Sequence, residues 1–265
     1  MASRKFKVLA LGDVIGSAGQ RAVFAACAGL KRRHNADMVI VNGENAVEGF
    51  GIDEATAQRL FSAGADVITT GNHVWQQKSV MPYLDREDRI LRPANYPGGN
   101  PGHGYCVLDV RGVSVAVLNL QGRVRMPSID CPFRTAKDLL RKLKSKAKIF
   151  VLDFHAEATE EKEALAAYLD GEVALVFGTH THVQTTDNRI LPGGTAYLTD
   201  IGACGPHDSV IGFKSDVSVR RSLTQLPLKN EVSDTTARIH GLVLSLDPLS
   251  GKALEIERIQ EDSLV

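Results

Sequence analysis

Short apolar runs alternate with stretches of helical periodicity along this chain, and the alternation predicts an order of elements. An apolar run at Lys7–Leu11 leads to a helix from about Ala18 to Arg33, a strand at Met38–Val41, a helix at Glu54–Phe61 and a strand at Val67–Thr70. Strand and helix in turn, with short glycine-containing joints, argue a layered α/β fold. Tyr105–Val110 and Val113–Leu118 read as a hairpin turned at Arg111-Gly112. The helix that follows, Thr135 to Lys144, carries Lys and Arg on a face that reads as solvated rather than as a binding patch. Ile149–Phe154 and Val173–Phe177 are again strands. Between them a helix begins near Thr159 with Glu160 and Glu161 in its first turn, where the helix dipole favours acid. Strands at Ala196–Thr199, Leu242–Leu246 and Leu254–Ile259 complete the pattern, and no linker or repeat divides it, so residues 1–265 read as one domain.

Polar residues interrupt this pattern at one recurring place. Asp13 ends the first strand, Glu44 and Asn45 the second, Asn72 and His73 the third, His155 a later one, and His180 and His182 the next. Ligands of open α/β sheets bind beyond the carboxyl ends of the strands, so five strand ends deliver metal-type ligands to one edge. The stretch Val173–Val183 is the centre of this set. Alternation along its extended segment sends His180 and His182 to the same face, from the end of a buried strand.

Each piece also has a purely structural explanation. Gly12-Asp13-Val14-Ile15-Gly16 with Gly19 resembles a dinucleotide turn, but the spacing is wrong and an aspartate would face the phosphate. Asn42-Gly43 is a turn signal, Asn72 could cap a helix, and Asp153 and His155 could be a salt-bridged core pair. Arg92, Asn95 and Arg123 could hold phosphate or base, or could tie loops together. Taken together the structural explanations need five coincidences, whereas one site needs none. Carboxylate, amide and imidazole groups without thiolate suit iron, manganese or zinc in a hydrolytic centre. About seven such groups suit two ions roughly 3.5–4 Å apart that share a carboxylate, for which Glu44 is the candidate.

Composition narrows the partners. Lys+Arg and Asp+Glu are both 31, so no global field draws nucleic acid or an acidic membrane surface, and no DNA-binding patch is evident. The apolar run before Gly12 is too short for a signal peptide core, and no segment reaches the roughly 18 apolar residues of a membrane span. Cys27, Cys106, Cys131 and Cys204 are scattered and read as reduced thiols of a cytoplasmic protein.

Asp13, NGEN at Asn42–Asn45, GNH at Gly71–His73, His155 and GTHTH at Gly178–His182 resemble the motifs of calcineurin-like metallophosphoesterases in their usual order. More narrowly, LGDVIG, NGENA, GNHVW, RPANYP, NLQGR, DFHAEAT, GTHTHVQT, DNRILP and TDIGACGP resemble the YmdB family of bacterial phosphodiesterases over almost the whole chain. The resemblance implies a four-layered α/β/β/α sandwich, a homo-oligomer and a two-metal centre, iron first and manganese or zinc as alternatives. It assigns Asp13, Glu44, Asn45 and His182 to one metal and Glu44, Asn72, His155 and His180 to the other. His73 becomes the general acid for cleavage of a 2′,3′-cAMP-type cyclic nucleotide by a metal-bridging hydroxide. Ile15 stands where the broader superfamily has histidine, with Asn45 filling the gap, and the bridge is Glu44 rather than aspartate; both departures belong to the YmdB-like branch. Gln76 and His207 stand where relatives often carry an acid and a tyrosine, which bears on substrate preference. A phosphomonoesterase, or a regulatory protein that senses nucleotide through the same site, is the alternative.

Overall fold

The computed structural model describes residues 4–263. In chain order the first half contains β1 (Phe6–Leu11), β2 (Asp13–Val14), α1 (Gly16–His34), β3 (Met38–Asn42), α2 (Glu54–Ala63), β4 (Val67–Thr69), α3 (Met81–Leu84), β5 (Ile90–Leu91), β6 (Tyr105–Val110) and β7 (Val113–Gln121). The second half contains α4 (Pro132–Leu143), β8 (Ile149–His155), α5 (Thr159–Tyr168), β9 (Leu175–Thr179), β10 (Arg189–Ile190), β11 (Ala196–Leu198), β12 (Ala203–Pro206), α6 (Ser215–Thr224), β13 (Ala237–Leu246) and β14 (Ala253–Asp262).

Two sheets result. In one, β1, β3, β4 and β5 run parallel, β13 lies antiparallel to β1, and β12 and β1 occupy successive stretches of the same edge of β13. In the other, β7, β8, β9 and β11 run parallel between antiparallel edges β6 and β10. Strands buried on both faces need apolar residues at every position, and here the two faces feed different cores. Phe6, Val8 and Ala10 of β1 and Met38 and Ile40 of β3 enter a core shared with Val115, Val117, Val151, Leu175 and Phe177 of the second sheet. Leu9, Leu11, Val39 and Val41 pack instead under α1 and α2. Phe150, Leu152 and Phe154 pack under α4 and α5. The order is therefore α/β/β/α, the sandwich expected from the resemblance.

The face between the sheets changes character towards the carboxyl ends. Along β8 it reads Ile149, Val151, Asp153, His155; along β7 it reads Val115, Val117, Asn119, Gln121; β3 ends it with Asn42 and β9 with Thr179. Aliphatic residues join the sheets at one end, and polar residues meet across them at the other, Asn42 and Thr69 donating to Asp153.

Several expectations need correcting. The strand before the histidines ends at Thr179, so His180 (φ 100°) and His182 (φ 65°) do not alternate along a strand; they sit in a turn with left-handed backbone. Asn72 caps no helix, for Gly71–His73 opens an irregular turn rather than a helix. Arg92 bonds the carbonyls of Pro93 and Pro101, and Asn95 those of Gln121 and Asp130, so these two tie loops together. Asp153 and His155 form no pair; each bonds to Thr179 instead.

Candidate metal centre

All eight site residues read from the sequence gather at the polar end of the cleft. Asn42, the last residue of β3, turns its side-chain oxygen back to accept the Glu44 N–H at 3.0 Å, so the turn that Asn-Gly signals is also what aims Glu44. Both Glu44 oxygens accept backbone N–H groups, from Gly71 and from His73. Gly71 has to be glycine because a Cβ there would run into the His155 ring. Asp13 accepts from His180 N at 3.2 Å and from the Asn45 amide at 3.3 Å.

The hydrogen bonds assign the imidazole tautomers. Thr179 Oγ1 donates to Asp153 at 2.8 Å and therefore accepts from His155 Nδ1 at 2.9 Å, leaving a lone pair on His155 Nε2. His180 Nε2 faces the Glu157 carboxylate at 3.2 Å and spends its N–H there, which leaves a lone pair on Nδ1. His182 Nδ1 donates to the Ile211 carbonyl at 2.8 Å and presents Nε2 inward. Each ring is thus oriented by an outer acceptor, the arrangement found around metal-bound histidines.

The inner atoms are acceptors facing acceptors. His155 Nε2 lies 3.1 Å from His180 Nδ1, 3.1 Å from Asn72 Oδ1 and 3.6 Å from Glu44 Oε1. That close approach to Glu44 is no ion pair, because burial and then the His180 beside it hold His155 well below its usual pKa. On the other side the Asn45 amide nitrogen reaches both Asp13 and His182 Nε2, the latter at 2.9 Å, while Asn45 Oδ1 accepts from His73 Nδ1 at 2.7 Å. Among the described residues no three His, Cys, Asp or Glu groups alone stand together at metal-binding spacing.

Charge supports the same reading. Asp13, Glu44 and Asp153 are completely buried. Burial, with Asp200 nearby, pushes Asp13 up to about 8; burial pushes Asp153 up to about 7 and Glu44 well above the carboxylate range. Buried Lys162 is already paired with Asp200 at 2.9 Å. Converging lone pairs and an excess of buried acid are what a bound cation offsets, so the residues present fit a metal group.

Sequence reasoning missed the supports. Lys162 Nζ also donates to Thr179 O at 3.0 Å, and Asp200 accepts from Thr181 and Gly202, so this pair anchors the turn that carries both histidines. TDIG at Thr199–Gly202 was a visible signal for Asp200; Lys162, inside an acidic helix, had none.

The family profile described as YmdB-like protein matches residues 9–259. A Bacillus subtilis (strain 168) 2′,3′-cyclic-nucleotide 2′-phosphodiesterase is 43% identical over 253 residues, covering 96% of both chains. The crystal structure of a novel phosphatase from Mycoplasma pneumoniae superposes with a TM-score of 0.93 at 36% identity, covering 98% of this chain and 95% of that one. Haemophilus influenzae NAD nucleotidase, at 13% identity and a TM-score of 0.62 over 98% of this chain and 56% of its own, shares the fold.

Proposed function

This chain belongs to the YmdB-like family, and from that premise we propose that it is a metal-dependent phosphodiesterase acting on cyclic nucleotides of the 2′,3′-cAMP type. One observation carries the metal part of the reading: the inward lone pairs of His155 and His180 meet Asn72 Oδ1 and Glu44 with no donor among them. Asp13 and His182 would hold one ion, joined by Asn45 with its amide turned so that the oxygen now bonded to His73 faces it, and Asn72, His155 and His180 the other, with Glu44 shared; iron is the first candidate, manganese or zinc the alternatives. Bound there, the metals would supply an activated water and offset charge on the phosphoryl oxygens.

The chain's own residues do the rest. His73 is half-buried, anchored through Nδ1 to Asn45, and its Nε2 is the free nitrogen. Burial and the neighbouring His180 and His182 hold it down to about 4. A bound phosphodiester anion brings the opposite charge, which favours the protonated form. That proton goes to the leaving ribose oxygen, which is too basic to depart alone. We include a homo-oligomer in this reading because α6 buries nothing in its own chain and leaves Val219 and Leu223 exposed; light scattering tests it.

The decisive experiment combines elemental analysis with a substrate panel. Protein purified without chelator is expected to carry more than one transition metal per chain and to open 2′,3′-cAMP faster than it hydrolyses nucleoside monophosphates. A stoichiometry that stays near one after reconstitution would sink the two-metal reading, and a preference for monophosphates would make the protein a phosphomonoesterase.

A further inference from the structure

Three motifs contribute residues that the donor set does not use: Trp75 of GNHVW, Tyr96 of RPANYP and Gln121 of NLQGR. In the fold they meet. Trp75 stands edge-on to Tyr96, ring centroids 5.3 Å apart and planes at 76°. The Tyr96 hydroxyl donates to Gln121 Oε1 at 3.1 Å. The Gln121 backbone is clamped as well, its N–H donating to Asn95 Oδ1 at 2.9 Å and its carbonyl accepting from Asn95 Nδ2 at 2.7 Å.

All this holds one group in place. Gln121 is completely buried, and its Nε2 has no hydrogen-bond partner among the described residues. A buried amide left without an acceptor is costly, so such a group calls for an explanation. Position supplies it. Gln121 is the last residue of β7 and lies in register with His155, which lies in register with Thr179, so the three residues form one row at the polar ends of their strands. Asn119 Nδ2 is also unpartnered, but it sits one pleat deeper, level with Asp153, and its oxygen holds Thr70 N–H at 3.1 Å. Asn119 is therefore beneath the site, whereas Gln121 is at its wall.

We propose that Gln121 Nε2 binds a non-bridging phosphoryl oxygen of the substrate, with Tyr96, itself packed edge-on by Trp75, as the positioning residue that holds the amide oxygen. The proposal rests on reading the site as a phosphodiesterase. A neutral donor suits the place, because an arginine or lysine beside His155 would repel the cations that the neighbouring lone pairs await.

Inorganic phosphate is the probe. Manganese-reconstituted protein is titrated by calorimetry while the emission of Trp75, the chain's one tryptophan, reports on Tyr96 beside it. Gln121→Leu is expected to keep its metal and to lose roughly tenfold to a hundredfold in phosphate affinity, the usual range for a hydrogen bond to a charged group. Its KM for a cyclic nucleotide should rise by a similar factor. Tyr96→Phe, which only frees the amide to turn, should show a smaller loss in the same direction. Unchanged phosphate affinity in Gln121→Leu at normal metal content overturns the proposal, and so does loss of metal, which would make Gln121 a support of the ligands. Should Gln121→Leu fail to fold, wild-type phosphate affinity in Tyr96→Phe overturns it alone. Failure of the parent reading would look different: protein that holds phosphate through Gln121 yet turns over no phosphodiester.

Discussion

His155 and His182 present the same kind of nitrogen to the same cleft, yet different parts of the fold hold them. His155 ends β8, is flanked in register by β7 and β9, and has its outer nitrogen fixed by the buried Thr179–Asp153 relay. His182 lies in a left-handed turn, and its outer nitrogen depends on the carbonyl of Ile211 in the segment that leads to the exposed helix α6. One half of the site is built by sheet register and the other by loops leaning on one another. The lesson is that equal ligand chemistry does not imply equal rigidity, since strand register is shared by many bonds and a loop carbonyl is a single contact.

Substitutions can break this comparison, the largest effect first. His73 is not a ligand and its side chain bonds only Asn45 of the set, so His73→Ala should keep its metal while losing roughly 10²–10⁴-fold in rate on a 2′,3′-cyclic nucleotide. The loss should shrink on a nitrophenyl ester, whose leaving group departs without a proton; equal damage on both substrates would make His73 a phosphate-binding residue. His180→Ala should instead lose metal and activity on both.

Next comes the junction of the halves. Lys162 and Asp200 are both buried and together hold Thr179 O and Thr181, so Lys162→Met leaves a buried carboxylate unpaired. Destabilisation of about 3–5 kcal/mol is expected, a fall in Tm of roughly 10 °C for a chain of this size. A fall of only a degree or two in calorimetry would show that the pair is not what anchors the turn.

Two milder changes separate the halves. Thr179→Val cuts the relay behind His155 and should weaken one metal by roughly 10–100-fold, the usual cost of losing an outer support, while the other metal titrates normally. Gly212→Ala disturbs the loop half, because Gly212 has φ 97° and its Cβ would meet Ile15 at 2.7 Å. It should weaken the metal held by Asp13, Asn45 and His182 by less than about tenfold, a strained backbone costing on the order of 1–3 kcal/mol shared with stability. If both substitutions affected the same metal, the division into halves would fail.

The smallest effect is on pH dependence. His240, whose carbonyl receives Gly12 N–H behind the loop half, is held down to about 4 by burial and by Arg238, and its Nδ1 is buried without a partner among the described residues. Its pKa is lowered on folding, so its contribution is full above the unfolded value of about 6.5 and is lost as pH falls toward 4. His240→Gln should flatten that part of the stability curve in urea titrations between those limits; an unchanged slope would remove His240 from the acid response.

What the sequence by itself determined is the alternation of strand and helix, the α/β/β/α layering through the resemblance, and all eight residues that gather at the cleft. These were legible because apolar periodicity and strand-end polar residues are local, and strand ends share an edge whenever strands run parallel. Helix and strand limits moved by a few residues, and α6 and β12 went unseen because neither carries a distinctive apolar pattern. The tertiary structure alone decided how the ligands are held. The ion pair of Lys162 with Asp200 and the bond from Tyr96 to Gln121 join residues 38 and 25 positions apart, and the left-handed turn at His180 and His182 is pinned by Asp200 from 19 positions away, contacts that no local pattern encodes. Orientation of a side chain is a property of its neighbours in space, and those neighbours are chosen only when the two sheets close on each other.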